Sequence, residues 1–311
     1  MDTFIAAQSF AQPLIQHLRE DLDLSHEMLL RVLDLAAQVK SSPQRFSQAL
    51  EGRYLGLLFE KPSLRTRTTF ELGIKQLGGD AVTSVGAVGE REPVKDVVRN
   101  LDRWTQAIVA RVFSQATVKE LAHWSHVPVI NALSDMYHPC QVLADVQTIK
   151  EKFGRWEGLK LAFVGDGNNV AHSLMLTAGR LGVQVTIATP SGYEPRAEVT
   201  AAATRLGKIT VTNDPVQAVA GAHIVYTDAW TSMGHEGEAD VRNKIFPPYR
   251  VDESLMSKAR EDAIFMHCLP AHRGEETTDA VIESARSVVF DQSENRLHAQ
   301  KGLLLALLGG K

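Results

Sequence analysis

The sequence predicts an α/β protein of two domains, each with a central, mainly parallel sheet flanked by helices. Three observations predict it. Short apolar runs alternate with helical stretches in one series over residues 54–133 and in a second from about residue 159 to 270. A helical stripe at 138–152 lies between the two series and is long enough to connect two domains. The chain has 311 residues, 44% of them apolar, which suffices for one large or two medium cores.

Taken in order, Leu24, Leu29, Leu30, Val32, Leu33, Leu35 and Ala36 recur at helical intervals after a Ser25 cap, and "KSSPQ" breaks the pattern. The run "YLGLLF" at 54–59 reads as a buried strand, and a helix follows from about Thr66 to Leu77, where Gly78 and Gly79 end it. Strands at 107–113 and 127–133 flank a helical stretch containing "TVKELAHW". His138 and Pro139 open the connecting helix, whose stripe is Val142, Leu143, Val146 and Ile149. The second series runs through "LKLAFVGD", "QVTIATP", "KITVTND", "HIVYTDAW" and "AIFMHCLP". The last helix, "ENRLHAQKGLLLALL", is expected to pack back on the first domain. The division is therefore 1–137 completed by 292–311, an interdomain helix at 138–152, and 153–291.

A formal charge of −4 leaves no basic surplus for a nucleic-acid backbone or an anionic membrane, so any anion site has to be local. Cys140 and Cys268 stand far apart and form no C-x-x-C pair, which excludes a disulfide scaffold and a cysteine zinc site and fits a reducing cytosol. The N-terminal stretch lacks the basic start and unbroken apolar block of a signal peptide, and no segment offers about 18 consecutive apolar residues. A cytoplasmic protein is expected.

The local anion site is the stretch "FEKPSLRTRTTFELG", residues 59–73. Free N–H groups and the positive dipole end at a helix start favour an anion, and Ser63, Arg65, Thr66 and Arg67 add donors around it. Arginine grips phosphate with two parallel bonds. The competing reading is a solvated helix start whose cations pair with Glu60 and Glu71; this window alone leaves both open.

A strand followed by S-x-R-T-R and a helix resembles the carbamoyl phosphate signature of the aspartate/ornithine carbamoyltransferase family. "HPCQ" at 138–141, "DAWTSMG" at 228–234, "HCLP" at 267–270 and "ENRLHAQK" at 294–301 follow in the order of its ornithine-using members. The resemblance covers most of residues 20–308. It implies that the first domain binds carbamoyl phosphate through Ser63, Leu64, Arg65, Thr66, Arg111, His138, Gln141, Cys268, Leu269 and Arg296. Arg65 and Arg111 would stabilise the leaving phosphate as its charge grows, and Arg111, His138 and Thr66 would polarise the carbamoyl oxygen. Each residue also has a plainer reading: Arg111 paired with a core carboxylate, His138 a helix cap, Gln141 facing solvent, Arg296 in a surface ion pair with Glu294.

For the acceptor, the resemblance implies that Asn169, Asp228, Ser232 and Met233 hold the amino-acid end of L-ornithine in the second domain, under a closing loop. The δ-amine, with a pKa of about 10 when free, must lose a proton before it attacks; a desolvated pocket beside Arg65 and Arg111 favours that loss. Cys268 is expected to orient the amine or accept its proton, completing a catalytic set of Arg65, Arg111, His138 and Cys268. The plainer readings are a core cysteine, a loop cap for Asp228 and a helix cap for Asn169. The implied products are L-citrulline and phosphate, formed by direct attack without metal or cofactor in a homotrimer of arginine metabolism. Acetylornithine, succinylornithine and putrescine are the alternative amines.

A nicotinamide-dependent oxidoreductase is the main rival, because "FVGDGNNVAHS" begins like G-x-G-x-x-G. Val170 occupies the third glycine position and "QVTIATP" ends without an acidic residue, so that fingerprint is incomplete. A small-anion sensor would need the arginines but not the acceptor set. Two positions depart from the family pattern: Leu64 stands where threonine is usual, and Ala87 stands where the family carries a glutamine that reaches a neighbouring subunit's phosphate site.

Overall fold

The structure is a computed structural model that describes residues 17–231 and 236–309. Two parallel sheets organise it. Strands β1 (Tyr54–Phe59), β2 (Asp80–Val85), β3 (Ala107–Arg111) and β4 (Val129–Leu133) form the first sheet in the order β2-β1-β3-β4. Strands β5 (Lys160–Val164), β6 (Gln184–Ala188), β7 (Ile209–Thr212), β8 (Ile224–Thr227) and β9 (Ile264–His267) form the second in the order β7-β6-β5-β8-β9. Every pairing between these strands is parallel, so the carboxyl ends within each sheet share one edge.

The helices of the first half are α1 (His26–Ser41), α2 (Leu64–Gln76), α3 (Val94–Trp104) and α4 (Gln115–Trp124). The connecting helix is α5 (Pro139–Phe153), followed by α6 (Asn169–Arg180), α7 (Ala197–Thr204), α8 (Pro215–Val219), α9 (Ala239–Ile245), α10 (Glu253–Met256), α11 (Asp279–Ile282) and α12 (Val289–Leu308). Their ends follow local chemistry. Ser25, Ser63, Ser114, Asn168, Asp214, Asp252 and Thr278 each accept a backbone N–H at a helix start. Gly154, at φ +69°, closes α5 in the left-handed region that only glycine enters freely.

Helix α12 packs against α1, α5 and α2, so the last element does return to the first half of the chain. Its approach to α1 depends on Gly302: a Cβ there would stand 2.5 Å from the Val32 carbonyl oxygen and 2.7 Å from the Ala36 nitrogen. The core around this helix joins Leu303 and Leu304 with Leu29, Val32, Val142 and Val146, all buried.

Several expectations shift. Helix α2 starts at Leu64 rather than Thr66, because Ser63 supplies the cap. Leu24 precedes its helix instead of joining it, and Leu30 is exposed, so the buried face of α1 is narrower than the apolar pattern. The edge strand β2 and helix α3 carry apolar signals too weak to read in the sequence; among the described residues β2 has a strand neighbour on one side only, and it exposes Val82 and Val85.

Candidate active site

Parallel register builds the site. In the first sheet Phe59 lies opposite Arg111, so the turn leading into α2 and the Arg111 side chain emerge at the same strand ends. In the second sheet Thr227 lies opposite His267, which sets Asp228 beside Cys268 one residue later. Such strand ends are where ligands bind in open α/β sheets. A cleft of about 420 Å³ joins the two edges, and the residues lining it include every site residue expected from the sequence except Arg67, which is not among them, and Ser232 and Met233, which lie outside the described residues.

The electropositive end comes from three elements. Arg65 is on the first turn of α2, Arg111 ends β3, and Arg296 reaches in from α12. Burial, then the neighbouring Arg296 and Arg65, pull the Arg111 guanidinium down to about 10, a sign of how strongly cations crowd this corner. Burial also lowers Arg65 and Arg296. Arg296 donates to Thr66 Oγ1 at 3.0 Å and to Gln141 Oε1, so it is buried inside the cleft wall and not in a surface pair. Glu294 instead pairs with Lys40 and His298. Arg67 does take the plainer role, bonding Glu71 at 2.8 Å on the outer face of α2.

His138 occupies the cap position of α5, but its side chain accepts no backbone N–H there. Burial, followed by Arg296, Arg111 and Arg65, holds its imidazole well below the usual range, so the ring is neutral. Its Nδ1 is buried without a hydrogen-bond partner among the described residues. Gln141 is buried rather than solvent-facing.

The opposite wall carries a carboxylate. Asp228 accepts from Asn168 Nδ2 at 2.7 Å, from the Ala229 N–H at 2.8 Å and from the Cys268 thiol at 2.8 Å. Burial and then Asp228 push the Cys268 thiol well above its ordinary value. Of the two roles expected for Cys268, orienting an amine fits this protonated thiol; accepting a proton does not. The Leu269 N–H is engaged by His267 Nδ1 at 2.8 Å, and His267 Nε2 meets the buried Glu276 at 3.1 Å. Cys140 is a packing residue, its thiol donating to the Asn131 carbonyl.

Asn169 is the first residue of α6, not its cap, and its amide donates to the Ser134 carbonyl at 2.7 Å across the cleft base. The cap is Asn168, which also steadies Asp228 and which sequence reasoning missed. A strand-turn-asparagine-helix pattern in "GDGNN" carried the signal; with two adjacent asparagines the choice of cap was ambiguous.

The family described as aspartate/ornithine carbamoyltransferase, carbamoyl-P binding domain, matches residues 16–151, and its Asp/Orn binding domain matches residues 157–307. The chain belongs to the aspartate/ornithine carbamoyltransferase family. Among relatives in that family, the ornithine carbamoyltransferase of Thermococcus kodakarensis is 50% identical over 301 residues, covering 93% of this chain and 95% of that one. That of Anoxybacillus flavithermus is 47% identical, covering 92% and 94%. The solved ornithine carbamoyltransferase from Pyrococcus furiosus superposes with a TM-score of 0.90 at 46% identity, covering 98% of this chain and all of that one. An acetylornithine transcarbamylase complexed with acetylcitrulline superposes at 0.85 with 31% identity, covering 95% and 100%.

Against the carbamoyltransferase pattern, the exposed loop after β2 presents Ala87, whose methyl group cannot donate to phosphate. That loop is nonetheless tied down: Glu60 accepts from the Val88 N–H at 3.0 Å and from the Phe113 N–H at 2.6 Å.

Proposed function

We propose that this chain is an ornithine carbamoyltransferase: it transfers the carbamoyl group of carbamoyl phosphate to the δ-amine of L-ornithine, giving L-citrulline and phosphate. One observation carries the reading. A three-arginine corner at a helix start faces, across a single cleft, a carboxylate with an asparagine on either side of the α6 start. This chain is 46–50% identical to the ornithine carbamoyltransferases named above and 31% to the acetylornithine transcarbamylase, which supports the same acceptor.

The chemistry follows from the groups present. Ser63, Leu64, Arg65 and Thr66, with the free N–H groups of α2, hold the phosphate, and Arg111 and Arg296 complete the cage. Neutral His138 is suited to hydrogen-bond the carbamoyl group without adding charge, while Arg111 and Thr66 polarise its oxygen. Asp228 takes the α-ammonium, Asn169 the α-carboxylate, with Ser232 and Met233 from the adjoining loop. Cys268 and Leu269 also contact carbamoyl phosphate, and Cys268 orients the attacking amine. Once the ammonium has shed one proton, the δ-nitrogen attacks the carbamoyl carbon; the C–N bond forms, the C–O bond to phosphate breaks with its electrons leaving on phosphate, and the proton still to be lost from the nitrogen passes to that phosphate. This sequence needs no metal or organic cofactor.

The working unit in this proposal is a cytoplasmic homotrimer of arginine metabolism. Support for assembly comes from the β2 edge, which among the described residues has a strand neighbour on one side only and exposes Val82 and Val85. No helix among the described residues is long and apolar enough to cross a membrane. Residues 1–137 with helix 292–311 would form the carbamoyl phosphate-binding unit, 153–291 the ornithine-binding unit, and 138–152 the link.

The test compares ornithine, acetylornithine, succinylornithine, putrescine and aspartate as acceptors with carbamoyl phosphate. Citrulline formation from ornithine at a kcat/KM at least tenfold above every other amine is expected. Preference for another amine, or binding without turnover, would overturn the assignment. Sedimentation of the same preparation reads the trimer.

A further inference from the structure

Asp145 on α5, Tyr226 on β8 and Gln292 on α12 are buried, and none of them lines the cleft. Together they join its two walls. Asp145 Oδ1 accepts from Gln141 Nε2 and from Gln292 Nε2, both at 2.8 Å, and its Oδ2 accepts from the Tyr226 hydroxyl at 3.1 Å. Gln292 Nε2 also donates to the Tyr226 oxygen at 3.0 Å, and Gln292 Oε1 accepts from the His267 N–H at 2.9 Å.

The consequences run in two directions. With its amide NH₂ tied to Asp145, Gln141 is left to turn its oxygen towards Arg296, as it does. Tyr226 sits two residues before Asp228, and His267 one before Cys268, so the same carboxylate steadies the strand ends that carry the acceptor groups. A buried carboxylate is a costly way to fill space, which an apolar side chain would do without desolvation. Burial lifts the Asp145 carboxyl to about 7 despite its three donors and Arg296.

We propose that Asp145 is a positioning residue that couples the two substrates, transmitting the draw of a bound phosphate on Arg296 through Gln141 to Tyr226 and Gln292, and so to Asp228 and Cys268. The proposal rests on the carbamoyl-transfer reading. An acceptor would then bind well only when the donor is in place.

Calorimetric titration of L-norvaline, which is ornithine without its δ-amine, with and without saturating carbamoyl phosphate, measures this coupling on the full chain. The wild type is expected to bind norvaline at least about tenfold more tightly with the donor present. Tyr226→Phe, the loss of one buried oxygen, should cut that ratio to about twofold while carbamoyl phosphate affinity alone stays within about twofold, and should raise the ornithine KM far more than the donor KM. Asp145→Leu should likewise cut the ratio, but with a loss of carbamoyl phosphate affinity that Tyr226→Phe does not show. Asp145→Asn, which keeps one acceptor oxygen for the two amides and offers an NH₂ to the Tyr226 oxygen, should restore most of the ratio. A folded Tyr226→Phe protein with undiminished coupling, or equal loss of both affinities, would overturn the proposal. So would a wild type that binds both ligands independently. Failure of the wild type to bind carbamoyl phosphate at all would instead bring down the functional reading beneath it.

Discussion

The two walls of the cleft are prepared for their ligands in opposite ways. On the arginine side, Arg65, Arg111 and Arg296 crowd one another, and the neutral His138 beside them keeps an Nδ1 with no partner among the described residues. On the carboxylate side, Asp228 already accepts hydrogen bonds from Asn168, Ala229 and Cys268. The first wall concentrates positive charge that a bound anion would relieve, with Arg296 already held by Thr66 and Gln141. The second has committed three of a carboxylate's roughly four acceptor sites to internal donors, so an ammonium group has to compete with them. Preorganisation for the transferring phosphate and adjustability for the amine are the expected division of labour, because charge changes at the phosphate during the reaction.

The largest effect should come from breaking the preorganised wall. Arg65→Ala is expected to lower kcat/KM by about 10³-fold or more, on the order of 4 kcal/mol of barrier, with carbamoyl phosphate binding lost. Normal kinetics in a folded mutant would show that the corner does not hold the donor. Next, Asp228→Ala should reduce kcat/KM for ornithine by about 10²-fold while leaving donor affinity within a fewfold; a mutant that saturates normally with ornithine would reverse the roles assigned to the walls.

The pH profile sharpens the comparison at a smaller scale. Since His138 is held neutral well below the usual imidazole range, it contributes no step between pH 6 and 8. The rate at limiting ornithine should instead rise with pH as the δ-ammonium, whose free pKa is about 10, gives up its proton. A bell with an imidazole-like limb that vanishes in His138→Asn would contradict the neutral ring. The raised thiol of Cys268 leads to a related expectation: alkylation by iodoacetamide at pH 8 should be at least about tenfold slower than for free cysteine, whose pKa is about 8.5. Asp228→Asn should speed that reaction. The smallest effect belongs to the scaffold. Ser63→Gly, which removes the α2 cap but leaves the backbone N–H groups, should cost only a few tenths of a kcal/mol in thermal unfolding, against about 1 kcal/mol for Ser63→Ala.

The same contrast explains what could be read from the sequence. The strands that end at Phe59, Arg111, Leu133 and His267 are buried apolar runs, so both sheets and the connecting helix were legible. Strand β2 was not, because an edge strand with exposed side chains lacks both alternation and an apolar block. The arginines were recognisable from their cluster and motif, whereas Asn168, Asp145 and Tyr226 act through partners 60 to 147 positions away. Tertiary hydrogen bonds over such separations leave no periodic trace. The plainer readings of Arg296 and Gln141 failed for the same reason, since only the packing of α12 on α1 and α5 turns them inward.

That packing has a temporal corollary. Arg296 arrives on the final helix, seated against α1 at Gly302, although the turn it serves begins near residue 63. During synthesis the anion corner therefore stays open until α12 has emerged, and a nascent chain stalled before that helix would hold Arg65 and Arg111 yet lack the guanidinium that braces Thr66.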